Sequence, residues 1–178
     1  MRLQVLGCYG GEAPGCHQIS LLVDGHLLLD AGSVTAVLPL DAQASINHVL
    51  ISHAHLDHVA ALAFIADNVL TMRRAPIEVW SITPVIRQLK KHVFNGSIWP
   101  DFTKIPSGHP ILSLHEIRKG QPTRIGKYQV VPVGVHHAVE ATGYLISDAK
   151  SSILYGGDSG PTENLWKVAN TAKRQTLL

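Results

Sequence analysis

Short apolar runs alternate with glycine-, proline- and polar-rich breaks along most of the chain. Runs of this length bounded by turn residues predict strands, and longer stretches with helical spacing predict helices. The first strand is expected over 3–6 and is followed by a loop over 7–15 that holds four glycines and Pro14. A hairpin is expected from 19–23 and 26–30, turning at Asp24-Gly25, a strong two-residue turn signal. Residues 33–44 predict a short helix broken near Pro39. A strand over 48–51 leads into a helix over 59–68. Another strand covers 77–80, and Pro84, suited to a first helical turn, opens a helix to about Phe94. Residues 95–110 form a long loop, either a functional cover or a connector. Strands over 112–117 and 127–135 are expected in a second sheet. A hairpin of 144–146 and 152–155 follows, then a helix over 163–169 starting at Thr162.

The stretch Ile51-Ser52-His53-Ala54-His55-Leu56-Asp57-His58 interrupts this pattern. It sets three histidines and a carboxylate within six residues, between a strand and a helix. In an extended segment, alternate side chains share a face, so His53, His55 and Asp57 are expected to converge. His58 breaks that period and enters the first helical turn, approaching from a second direction. The array can begin two adjacent metal sites, and imidazole with carboxylate suits zinc, manganese or iron.

Composition narrows the function classes. The chain has 178 residues, 46% hydrophobic and 16% charged, enough for one domain spanning 1–178 with a sizeable core. Its 15 Lys plus Arg against 13 Asp plus Glu include no long basic run, which argues against nucleic acid as partner. No apolar run approaches a membrane span, and the first residues lack signal-peptide features, so a cytoplasmic protein is expected. Cys8 and Cys16 do not have zinc-knuckle spacing and are expected as free thiols.

Further ligands follow later strands. His136 and His137 end the run over 127–135, and strand alternation does not choose between them. Asp158, in Gly156-Gly157-Asp158-Ser159-Gly160, follows another apolar strand on a turn that leaves its carboxylate unobstructed. Asp30 ends the first hairpin, where it can serve either as hydrogen-bond partner of a metal-bound histidine or as a turn cap.

The octet resembles the signature of the metallo-β-lactamase superfamily. That resemblance implies an α/β (α+β) fold, an αββα sandwich with a one- or two-metal hydrolytic site at the edge of two sheets. It selects His137 over His136 as the distant ligand and leaves His136 facing substrate. It gives His53, His55 and His137 to one metal and Asp57, His58 and Asp158 to the second, with Asp158 bridging. Asp57 and His58 are the catalytic candidates, and zinc is the expected metal.

More narrowly, His53 to Val59, Gly143-Tyr144, and Gly157-Asp158-Ser159-Gly160-Pro161-Thr162-Glu163 are similar to bacterial class II 3′,5′-cyclic-nucleotide phosphodiesterases. A small nucleotide is then the substrate, opened to the 5′-monophosphate by a metal-activated water. Glu140 departs from that family's usual proline. No histidine follows His137, although the superfamily carries one more metal-binding histidine. The expectation is a C-terminal half that is incomplete, with an exposed sheet edge that favours a homo-oligomer. The alternatives are a transfer-RNA 3′-processing endonuclease and a metal-binding fragment without turnover.

Overall fold

The computed structural model describes residues 1–170 and, as backbone, 175–177. The elements in order are β1 (Leu3–Gly7), β2 (Ser20–Val23), β3 (Leu27–Leu29), α1 (Val34–Val37), α2 (Leu40–Ala44), β4 (His48–Leu50) and α3 (Leu56–Asn68). After these come β5 (Ile77–Ile82), α4 (Thr83–Gln88), β6 (Leu112–Ile117), β7 (Thr123–Ile125), β8 (Tyr128–Gly134), β9 (Thr142–Ser147), β10 (Ser152–Tyr155), α5 (Glu163–Ala169) and β11 (Gln175–Leu177).

The strands form a six-stranded sheet in the order β1-β2-β3-β4-β5-β6 and a five-stranded sheet in the order β11-β10-β9-β8-β7. The first sheet begins as an antiparallel meander and becomes parallel from β3 onward. The β2–β3 turn has positive φ at both Asp24 (51°) and Gly25 (77°), the mirror-image turn whose twist matches the strands it joins. Pro39 is extended and separates α1 from α2, because its ring fixes φ and removes a donor.

One expected placement is corrected. The strand over 112–117 belongs to the first sheet, where β6 pairs parallel with β5 from Ile77↔Leu112 to Ile82↔Ile117. The helical crossover through α4 and the loop over 95–110 delivers it there, as a parallel β-α-β unit requires. That loop is a connector anchored in the core: Phe102 is buried and Trp99 stacks edge-on against Phe64 of α3. The pattern of 123–125 was too short to signal β7.

Two cores result. One lies between the first sheet and its helices and includes Val49, Ile51, Leu62, Ile65, Val79 and Phe102. The other lies between the sheets and includes Leu27, Leu29, Leu50, Val130, Tyr144 and Ile146. Helix α5 covers the far side of the second sheet, with Leu165 and Ala169 against Val133 and Leu154. This is the αββα layering that the sequence resemblance implies. Strand β11 pairs in parallel with β10 and is itself an edge of the second sheet. Among the described residues no helix is long and apolar enough to cross a membrane.

Candidate metal centre

Four strands of the sandwich, β3, β4, β8 and β10, release their chains toward one rim. They deliver Asp30, Ser52 with His53, His137, and Asp158, respectively. The carboxyl ends of strands are the usual ligand positions in open α/β sheets. Thr142 N–H donates to the Ser52 carbonyl at 3.0 Å and ties the second sheet to the exit of β4.

Helix α3 starts at Leu56, earlier than expected, with His55 extended as its N-cap residue. Asp57 and His58 therefore occupy the first helical turn, and Asp57 does not share the alternating face of His53 and His55. The helix wins because His58 N–H already reaches the His55 carbonyl at 3.0 Å, while Ala31 N–H takes the His58 carbonyl at 2.7 Å.

His53 Nε2 and His137 Nε2 lie 3.0 and 3.2 Å from His55 Nδ1, although His137 is 82 positions away in the chain. A second triplet joins His53, His58 and Asp158. His58 Nε2 is 3.4 Å from Asp158 Oδ1 and 3.5 Å from Asp57 Oδ2. Asp57 stands outside both triplets, beside His58 and facing Gly10. His136 is exposed, packs its ring against Gly160, and belongs to neither triplet. Cys8 and Cys16 are free thiols.

Asp30 is fully buried beneath the histidines, with a positive φ of 54° that is rare for a residue with a Cβ. Its Oδ1 accepts Ser52 N–H at 2.7 Å. Its Oδ2 accepts the Ser52 hydroxyl at 2.6 Å, His58 Nδ1 at 2.7 Å and the Tyr155 hydroxyl at 2.5 Å. The tautomers follow from these bonds. His58 donates from Nδ1, so its Nε2 carries the lone pair that faces Asp158. The single Ser52 hydroxyl proton goes to Asp30, so Ser52 Oγ accepts from His53 Nδ1 at 3.0 Å. His53 Nε2 is then also a lone pair, aimed at the cluster. The Ser52–Tyr155 network was not legible in the sequence, whereas Asp30 was visible as a carboxylate ending a strand.

At His53 the electrostatics agree with this polarity. Burial, with the neighbouring imidazoles, pushes the His53 pKa down to about 4, so the ring is neutral at pH 7. For His58, burial pushes down, but the hydrogen bond and charge of Asp30 outweigh it and the net direction is up.

A family model described as a beta-lactamase superfamily domain matches residues 26–176. The chain belongs to that superfamily. It is 32% identical over 124 residues to 3′,5′-cyclic-nucleotide phosphodiesterase 1 of Saccharomyces cerevisiae, covering 64% of this chain and 34% of the relative. It is 29% identical over 165 residues to a probable 3′,5′-cyclic-nucleotide phosphodiesterase of Yersinia pestis, covering 86% and 45%. The superfamily chain thus spans less than half the length of these two curated relatives. Among solved structures it superposes on unliganded yeast PDE1 with a TM-score of 0.72 at 18% identity, covering 94% of this chain and 69% of that one. It superposes on the metallo-β-lactamase fold protein YhfI of Bacillus subtilis with a TM-score of 0.70 at 19% identity, covering 90% and 64%. Both structures support the fold.

The superfamily fold implies a divalent metal, and the donor set fits one. In a tetrahedral zinc site with bonds of about 2.0–2.1 Å, donor atoms stand roughly 3.3 Å apart. The imidazole nitrogens at 3.0–3.2 Å and the His58–Asp158 pair at 3.4 Å match that spacing.

Proposed function

We propose that this superfamily domain is the metal-binding core of a phosphodiesterase that opens 3′,5′-cyclic nucleotides to nucleoside 5′-monophosphates. The observation that carries this reading is the pair of ligand triplets sharing His53. The names of the yeast and Yersinia relatives support the substrate class. In this reading His53, His55 and His137 would hold one metal, and His58 and Asp158, with Asp57 beside them, would hold the second. Zinc is the expected metal, and manganese or iron suits the same donors.

Divalent cations bound there would activate water and neutralise charge on the phosphoryl oxygens. The residues of the chain do the rest. Asp30 holds His58 in the tautomer that presents Nε2, and Ser52 relays the same polarity to His53. Asp57, partly exposed beside His58 Nε2, accepts the proton of the attacking water. The water oxygen bonds to phosphorus, the P–O3′ bond breaks, and the 3′ oxygen takes up a proton. His136, exposed beside His137, is read as facing substrate. The small net charge of +2 suits a single nucleotide better than a polymer.

The test is hydrolysis of cyclic AMP by the zinc- or manganese-loaded chain, followed by chromatography of the product. 5′-AMP as sole product, lost after chelation, is expected. A 3′-monophosphate product, or no turnover in a chain that binds metal with full stoichiometry, would overturn the proposal.

A further inference from the structure

Beside the His55 edge of the metal centre the surface opens into a cleft of about 580 Å³, within the range of small-molecule sites. Val85 and Leu89 of the helical segment after β5, His55, and Val139 from the loop after His137 line it. Gln88 and Glu140 bring polar groups to it, and none of its lining residues is Lys or Arg.

The wall containing Leu89 has an unusual backbone. Helix α4 widens after Gln88 into a π-turn over Leu89–Val93, closed by a hydrogen bond of 2.9 Å from Phe94 N–H to the Leu89 carbonyl. Such widened turns are frequent at functional sites. Val139, another lining residue, is 43% exposed, a partly uncovered apolar side chain.

We infer that this cleft takes the nucleobase of the substrate, with Gln88 reading its edge. This inference rests on the phosphodiesterase reading. The lining carries no Lys or Arg, and Glu140 is paired with Lys119 at 3.4 Å, so the cleft offers a phosphate no fixed cation and the phosphate end stays at the metals. A neutral planar ring fits the apolar walls and stays continuous with the centre through His55. The carboxamide of Gln88 offers a donor and an acceptor together, the pairing that an adenine edge presents.

The test compares wild type with Gln88→Ala and Val139→Trp, both at exposed positions that the fold tolerates. Two substrates are used, cyclic AMP and base-free 1-deoxyribose 3′,5′-cyclic phosphate, alongside calorimetric binding of adenosine. Each variant is expected to lower the ratio of kcat/KM for cyclic AMP over the base-free diester at least tenfold, through KM, and to weaken adenosine binding at least fivefold. If wild type opens both diesters and neither the ratio nor adenosine binding changes in the variants, the cleft assignment fails and the phosphodiesterase reading stands. A ratio that moves while adenosine binding does not also overturns the assignment. If wild type opens neither diester, the phosphodiesterase reading fails, and adenosine binding decides the cleft alone: no affinity, or equal affinity in all three proteins, overturns it.

Discussion

The Tyr155 hydroxyl donates to Asp30 Oδ2 across 2.5 Å, joining the end of β10 to the end of β3 although 125 positions separate them. One sheet thereby braces the carboxylate that orients the histidines of the other. Burial and the charge of Asp30 together drive the Tyr155 pKa well above its ordinary value, so the phenol remains a donor at every working pH. Tyr155→Phe removes one hydrogen bond to a buried charge and is expected to cost about 1.5–3 kcal/mol of stability. Chemical denaturation of the metal-free chain measures it; a loss below 0.5 kcal/mol (on the order of a surface change) would contradict the bracing role.

Asp30→Asn tests the tautomer assignment. An amide can donate where the carboxylate only accepts, so His58 Nδ1 loses its fixed partner. Metal affinity should fall roughly 10- to 100-fold, the usual effect of losing such a support. Competition titration with a chromogenic chelator reads this, and an unchanged affinity would refute the orienting role.

His55→Ala separates ligand from core. His55 is half-buried at the rim, so the variant should keep its far-ultraviolet circular dichroism while bound metal per chain falls by elemental analysis. Unchanged metal content would remove His55 from the ligand set.

Gly157 has φ of +60°, and a Cβ there would stand 2.9 Å from Ser52 Cβ. Gly157→Ala should strain this turn by about 1–3 kcal/mol and shift Asp158, its neighbour. The metal site shared by His58 and Asp158 should weaken more than the three-histidine site. Two-step zinc titration checks this, and equal weakening of both steps would count against it.

Acid should destabilise the fold through carboxylates far from the metal centre. For Asp24, burial pushes the pKa up, but the ion pair with Lys127 at 2.8 Å, Arg2 N–H at 2.6 Å and the Tyr128 hydroxyl at 2.7 Å outweigh it and hold it well below the usual range. Asp148, bonded by the backbone N–H groups of Lys150 and Ser151 at 2.8 Å each, is held at about 2. With folded pKa values below the unfolded value near 3.9, the unfolded chain takes up protons first. The stabilisation is complete above that value and drains away as pH falls through 4 toward 2. Asp24→Asn keeps the left-handed turn and should flatten the decline in melting temperature over that range. An identical decline in wild type and variant would exclude Asp24 as a source.

By itself the sequence determined the local elements and the chemistry at strand ends. The turn at Asp24-Gly25, the break at Pro39, the Thr162 cap and the octet around His53 are short-range features, written in neighbouring residues and readable there. The tertiary structure decided which strands pair and which side chains meet. Residues 112–117 are apolar enough for either sheet, and only the crossover through α4 places them beside β5. The period of two that grouped Asp57 with His53 and His55 failed because Asp57 already lies in the helix. The meetings of His55 with His137 and of Tyr155 with Asp30 required two sheets to pack face to face, while Asp30 reaches Ser52 and His58 through the parallel pairing of β3 with β4. Such contacts join residues far apart in the chain, and a hydrophobic pattern records burial without recording the partner.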